Sequence, residues 1–142
     1  MILEGLLKKI TSILNLIKFS HTIFSFPFAV MSAFLAADGM PGLKQLLLIL
    51  AALITARSAA MSFNRLVDTS YDVHNPRTAY RVTLQKKIGR SSVWIFTILC
   101  VILFVFCAWL LNQVAFFMAP LAILVIFGYS YTKRFTHFSH FV

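Results

Sequence analysis

The chain of 142 residues is too apolar for an ordinary soluble domain. Hydrophobic residues make up 60% of it and charged residues only 12%, whereas soluble domains carry about 25% charged residues. The net charge of +9 does not indicate a nucleic-acid partner, because the basic residues flank apolar runs and form no basic face on a soluble fold. Composition therefore predicts an integral membrane protein that binds no nucleic acid.

Four apolar segments are each long enough to cross a bilayer, which takes about 20 residues in a helix. In chain order they are Leu14–Ala37, Leu43–Val67, Val93–Leu111 and Val114–Tyr131. The first ends in small residues similar to a signal-peptide cleavage site, but its apolar stretch is long for a signal peptide, which favours an uncleaved helix. We therefore predict an all-α membrane helical bundle with four transmembrane helices.

The basic residues predict the orientation of these helices. All lysines and arginines except Lys44 and Arg57 fall on one side of the predicted membrane. Cytoplasmic loops carry an excess of such residues. We therefore expect a multi-pass protein of the cell inner (plasma) membrane, with the N-terminus and the connection 68–92 in the cytoplasm.

Three oxygen-bearing side chains follow one another at a spacing of four residues: Asn64, Asp68 and Asp72. On a helix they share one face, where two like charges disfavour the helix unless a cation lies between them. Mg²⁺ prefers oxygen ligands and commonly takes one or two carboxylates plus substrate phosphates. We predict that these three residues are catalytic and bind Mg²⁺. The spacing also permits a solvated helix end in which Asp72 pairs with Arg77 or Arg81.

Five basic residues are candidates for substrate binding. Arg77 and Arg81 follow the acidic pair and are suited to phosphate oxygens. Lys133 and Arg134 follow the fourth segment on the same side. They are candidates for phosphate ligands or, alternatively, for membrane anchors. Arg57 lies seven residues before the asparagine of the stripe, on the same face and roughly 10 Å deeper. A buried arginine is costly and usually functional, so Arg57 is a candidate for an anionic group of a substrate, or for a structural pair.

The spacing Asn64-x-x-x-Asp68-x-x-x-Asp72 resembles the first aspartate-rich motif of UbiA-type polyprenyltransferases. Asn75-Pro76-Arg77-Thr78, followed by Arg81, resembles the next part of the pattern in the 4-hydroxybenzoate polyprenyltransferases. Three further stretches are similar to that branch: KFSHT at 18–22, ARSAAM at 56–61 and YTKRF at 131–135.

This resemblance implies a fold of nine helices around a central cavity, of which residues 1–142 would be the N-terminal part of a single domain. It also implies two aspartate-rich motifs that hold Mg²⁺ ions on a polyprenyl diphosphate. Diphosphate would depart to leave an allylic cation, which the ring of an aromatic acid acceptor then attacks. The flanking stretches favour 4-hydroxybenzoate, in quinone biosynthesis. Rival acceptors are a naphthoate, homogentisate, haem and a glycerolipid.

Only the first aspartate motif is present in these residues, so we expect the chain alone to be inactive. The competing hypothesis is a non-catalytic membrane protein that uses Arg57 and the acidic residues as a relay or as structural pairs.

Overall fold

The computed structural model describes residues 10–18, 20–74 and 76–132, and within them the regular secondary structure is all helical. The helices are residues 10–16 (α1), Ser20–Ile23 (α2), Phe26–Ala36 (α3), Leu43–Asp72 (α4), Ala79–Ile88 (α5), Arg90–Leu111 (α6) and Gln113–Thr132 (α7). This architecture confirms the prediction of an all-α fold.

Among the described residues, three helices are long and apolar enough to cross a membrane, over Leu43–Ser70, Arg90–Leu111 and Gln113–Tyr131. They expose large apolar side chains, among them Phe117 at 71% and Leu124 at 70%. A water-soluble protein rarely exposes so large an apolar surface, whereas a lipid-facing helix does so by necessity. The chain is therefore a multi-pass membrane protein.

The first predicted span, Leu14–Ala37, is not one continuous helix. Lys18 has a φ of 48°, in the left-handed region, and separates α1 from α2. A second interruption precedes α3, where Pro27 occupies the first turn. Proline has no N–H to continue the ladder of a preceding helix but fits the start of a new one. The resulting α3 is apolar but has only 11 residues.

Helix α4 packs most extensively against α6. Its contact face carries small buried residues, Ser58, Ala59 and Ser62, which let two membrane helices approach closely. The hydroxyl of Thr97 on α6 lies 2.8 Å from that of Ser62. This polar contact within the apolar interface fixes the register of the two helices.

The predicted cytoplasmic connection contains a helix of its own, α5, which lies beside the end of α4. The Thr69 hydroxyl is 2.9 Å from the side-chain oxygen of Gln85 on α5. Ile88 of α5 is buried with Leu66 of α4 in a small apolar core. Gly89, with a φ of 87°, then makes the sharp turn into α6, and such a backbone conformation favours glycine. The turn thus holds α5 against the motif-bearing end of α4.

Candidate functional site

The predicted stripe lies within one continuous helix, because α4 extends through Asp72. Asn64, Asp68 and Asp72 therefore fall on successive turns of one face. Asn64 lines a cavity, Asp68 is half-buried and Asp72 is only 7% exposed. Burying a carboxylate is costly unless a cation compensates it.

The buried carboxylate of Asp72 has an arginine partner from α5. Arg81 Nη1 lies 3.7 Å from Asp72 Oδ1. The structure thus pairs Asp72 with Arg81, and it does so in a largely buried position rather than in solvent. Arg77 lies exposed in the turn before α5. The fold therefore brings Arg81 to the acidic stripe.

Arg65 is a buried neighbour of the stripe, whereas the sequence pattern indicates for it only a position on the cytoplasmic side of the membrane. Its side chain is 7% exposed. Nε donates to the carbonyl oxygen of Leu16 at 3.4 Å, and Nη1 donates to Asn64 Oδ1 at 3.5 Å. The negative charges of Asp72 and Asp68 attract its guanidinium group. The available signal was its spacing, because Arg65 lies three residues before Asp68 and therefore on a neighbouring helix face.

Tyr80 is a second neighbour that the sequence did not single out. The guanidinium carbon of Arg81 lies 5.8 Å from the centre of its ring. A hydrogen bond from the Arg81 side chain lowers the pKa of Tyr80 below its ordinary value, and the positive charges of Lys18, Arg81 and Arg65 lower it further. Several cations thus converge on the end of α4, which favours anions there.

Arg57 lies deeper in α4 and reaches the start of α3. Its Nη1 donates to Ser25 Oγ at 2.8 Å. This contact is a structural pair between Arg57 and a neutral hydroxyl. It therefore does not compensate the positive charge of the guanidinium. Among the described residues, two buried side-chain nitrogens have no hydrogen-bond partner, Nε of Arg57 and Nε of Arg81. Such donors are costly to bury and favour an anionic ligand.

A cavity of about 420 Å³ adjoins the stripe between α4 and α7. Its lining is mostly apolar, with Asn64 contributing an amide: Ala60, Met61, Asn64, Val125, Ile126, Tyr129 and Ser130. This volume lies in the range of small-molecule sites, about 300–1,000 Å³. The fold therefore places an apolar cavity next to a polar, charged helix end.

The candidate metal ligands are all oxygen atoms. Within the part of the chain that the structure describes, no group of three or more His, Cys, Asp and Glu residues forms a metal site. Two carboxylates and one amide oxygen fit a hard ion that also uses substrate phosphates. Lys133 and Arg134 lie outside the described residues.

The sequence pattern of the UbiA prenyltransferase family matches residues 25–142. The chain belongs to this family. It is 33% identical over 109 residues to the 4-hydroxybenzoate octaprenyltransferase of Vesicomyosocius okutanii subsp. Calyptogena okutanii (strain HA), covering 77% of this chain and 40% of that protein. It is 35% identical over 105 residues to the 4-hydroxybenzoate octaprenyltransferase of Polynucleobacter asymbioticus, covering 71% of this chain and 35% of that protein.

The fold has a solved counterpart in the apo structure of a UbiA homolog from Aeropyrum pernix K1. The two superpose with a TM-score of 0.78 at 31% identity, over 85% of this chain and 44% of that one. The chain thus spans less than half the length of these relatives. The resemblance seen in the sequence is confirmed, as is the helical membrane fold. The roles of individual site residues stay predictions.

Proposed function

We propose that this UbiA family chain forms part of a membrane prenyltransferase, which transfers a polyprenyl group from its diphosphate to an aromatic acceptor. The observation that carries the proposal is the pair of buried arginine nitrogens without partners, Nε of Arg57 and Nε of Arg81. Both belong to residues that the sequence assigned to substrate. They belong to two different helices, α4 and α5, as two anionic substrates require, one with a diphosphate and one with a carboxylate.

The diphosphate would bind at the end of α4. Asn64, Asp68 and Asp72 would hold Mg²⁺, whose bound charge stabilises the negative charge that develops on the leaving diphosphate. Arg81 can form charge-assisted hydrogen bonds to phosphate oxygens while it remains near Asp72. Arg77 is the second phosphate ligand that we propose on this side. Lys133 and Arg134 are proposed as further phosphate ligands on sequence grounds alone.

The acceptor would bind deeper, with its carboxylate on Arg57. Seven residues separate Arg57 from Asn64, which corresponds to about 10 Å along a helix. An aromatic acid held at Arg57 would point its ring toward the reacting end of the prenyl chain. The apolar lining of the cavity beside Asn64 suits a ring or an isoprene unit, and a bound substrate there would be kept away from water, which would otherwise quench a carbocation. We propose 4-hydroxybenzoate as the acceptor, because the relatives named above act on it.

We also propose that residues 1–142 supply the N-terminal part of a single UbiA-like domain. The second aspartate-rich motif of the family would then come from outside these residues. The N-terminus and the α5 connection would lie in the cytoplasm, on the inner side of the cell membrane. The prenyl chain would remain in the apolar region of the bilayer while its diphosphate meets the charged end of α4.

The decisive experiment is a chimera in which this chain replaces the matching segment of a 4-hydroxybenzoate octaprenyltransferase. We expect Mg²⁺-dependent prenyl transfer to 4-hydroxybenzoate. Asp68→Asn and Asp72→Asn should each lower kcat/KM by roughly 100-fold or more. Asp38→Asn makes the same chemical change at an exposed turn and should leave turnover unchanged.

Other outcomes decide between the alternatives. Transfer to a naphthoate, homogentisate, haem or a glycerolipid, and not to 4-hydroxybenzoate, would contradict the proposed acceptor and identify another. Transfer that is unaffected by Asp68→Asn would contradict the proposed metal site. The 142-residue chain assayed by itself should show no turnover, and measurable prenyl transfer by it would contradict the requirement for a second motif.

A further inference from the structure

A second cavity, which we call the rear pocket, lies on a different face of α4 from the aspartate stripe. Its volume is about 390 Å³. Its lining residues are Leu66, Val67, Thr69, Ser70, Val73, Arg90, Trp94 and Tyr131. Leu66 and Ser70 are each displaced by two residues from members of the stripe, which is roughly 200° around a helix. The proposed prenyl transfer does not use this pocket.

The rear pocket lies at one end of all three membrane spans. The α4 span ends at Ser70, the α6 span begins at Arg90 and the α7 span ends at Tyr131. All three residues line the pocket. Trp94 and Tyr131 are 40% and 46% exposed, and tryptophan and tyrosine are enriched at the level of lipid headgroups. The pocket therefore opens where the bilayer meets water.

The chemistry of the lining is that of an amphipathic anion site. Arg90 is the only charged residue among the lining residues described. The hydroxyl groups of Ser70 and Tyr131 can donate hydrogen bonds to phosphate oxygens. The rings of the two lining aromatic residues, Trp94 and Tyr131, each contact the buried ring of Phe63, with ring centres 6.0 and 5.9 Å apart. The lining thus combines one cation and these two hydroxyl groups with two aromatic rings.

We propose that the rear pocket binds the phosphate headgroup of an acidic membrane phospholipid. Basic pockets between transmembrane helices bind such headgroups. Arg90 pairs with the phosphate, and the rings of Trp94 and Tyr131 pack against the glycerol and the first acyl carbons. The bound lipid would then contact α4, α6 and α7 at once and hold them together at the end that carries the aspartate stripe. A site for a bulk lipid beside the reaction site is distinct from the proposed prenyl diphosphate site.

The two tryptophans of the chain make this proposal measurable. Trp94 lines the rear pocket, whereas Trp109 is 59% exposed near the opposite end of α6. Trp109→Phe leaves Trp94 as the only tryptophan, and Trp94→Phe leaves Trp109 as the reference. Each protein is placed in phosphatidylcholine vesicles that contain phosphatidylglycerol with brominated acyl chains, which quench nearby tryptophan fluorescence. The complementary vesicles carry the bromine on phosphatidylcholine.

We expect Trp94 to report a preference of about fivefold for phosphatidylglycerol over phosphatidylcholine, and Trp109 to report none. Arg90→Gln should abolish the preference at Trp94. Val73→Phe, which fills the pocket and keeps every charge, should abolish it as well. Lys86→Gln removes a charge from an exposed position on the neighbouring α5 and should preserve it. Far-UV circular dichroism checks that each variant is folded.

Three results would overturn the proposal. An equal preference at Trp109 would show general enrichment of acidic lipid around the protein. An equal loss with Lys86→Gln and Arg90→Gln would show diffuse surface attraction rather than a site. Full relief of quenching by free glycerol phosphate would assign the pocket to a soluble phosphate ester rather than to a lipid.

Discussion

The buried pair of Asp72 and Arg81 predicts a coupling energy in the unfolding of the chain. At the 3.7 Å separation of the two groups, unit charges attract by about 4 kcal/mol at an effective dielectric constant of ~20. Desolvation opposes this attraction, because the two side chains are only 10% and 21% exposed. We expect a net coupling of about 1–2 kcal/mol, above that of exposed pairs and below the loss seen on breaking fully buried ones.

A double-mutant cycle measures this coupling directly. The variants are Asp72→Asn, Arg81→Gln and the double substitution, unfolded from detergent micelles by titration with sodium dodecyl sulfate and followed by circular dichroism. Asp38→Asn, at an exposed site, should change the free energy of unfolding by less than about 0.5 kcal/mol. A coupling below about 0.3 kcal/mol would refute the pairing, since exposed pairs commonly contribute no more.

Two further predictions concern α5. Gly89 has a positive φ, so Gly89→Ala should lower the free energy of unfolding by about 1–3 kcal/mol. Gly128→Ala places its new methyl group in open space and should not lower it. Equal effects of the two substitutions would refute this account. Arg81 lowers the pKa of Tyr80, so the ionised form of Tyr80 stabilises the folded chain above the ordinary tyrosine pKa near 10. This stabilisation is lost as the pH falls through the lowered pKa of the folded state. An ultraviolet titration, with Tyr80→Phe as the reference, should show that Arg81→Gln raises the pKa of Tyr80; an unchanged pKa would contradict the contact.

The sequence predicted the long spans well because lipid imposes a simple rule on them. A helix in the bilayer must be about 20 residues long and apolar on its outer face, and α6 and α7 follow that rule within a few residues. The first span departed from it at Lys18 and Pro27. Hydropathy averages over such positions, whereas φ and the missing proline N–H act at single residues.

The candidate site was predictable as far as its residues share one helix. The spacing of Asn64, Asp68 and Asp72 was sufficient to place them on one face of α4. The contacts of Arg65 with Leu16 and of Arg57 with Ser25 join residues 49 and 32 positions apart, which no local pattern encodes. The helix α5 was missed because it has only ten residues, in which apolar and charged side chains are mixed, and tertiary contacts stabilise such short helices more than propensity does.

The metal-dependent diphosphate site is tested most directly by calorimetric binding of a prenyl diphosphate to the detergent-solubilised chain, with and without Mg²⁺. We predict binding that requires Mg²⁺ and that weakens at least about tenfold in Asp68→Asn and in Asp72→Asn, because each variant removes an anionic oxygen ligand. Asp38→Asn should bind as the unmodified chain does. Binding of equal strength without Mg²⁺, or in all three variants, would contradict the assignment of the stripe.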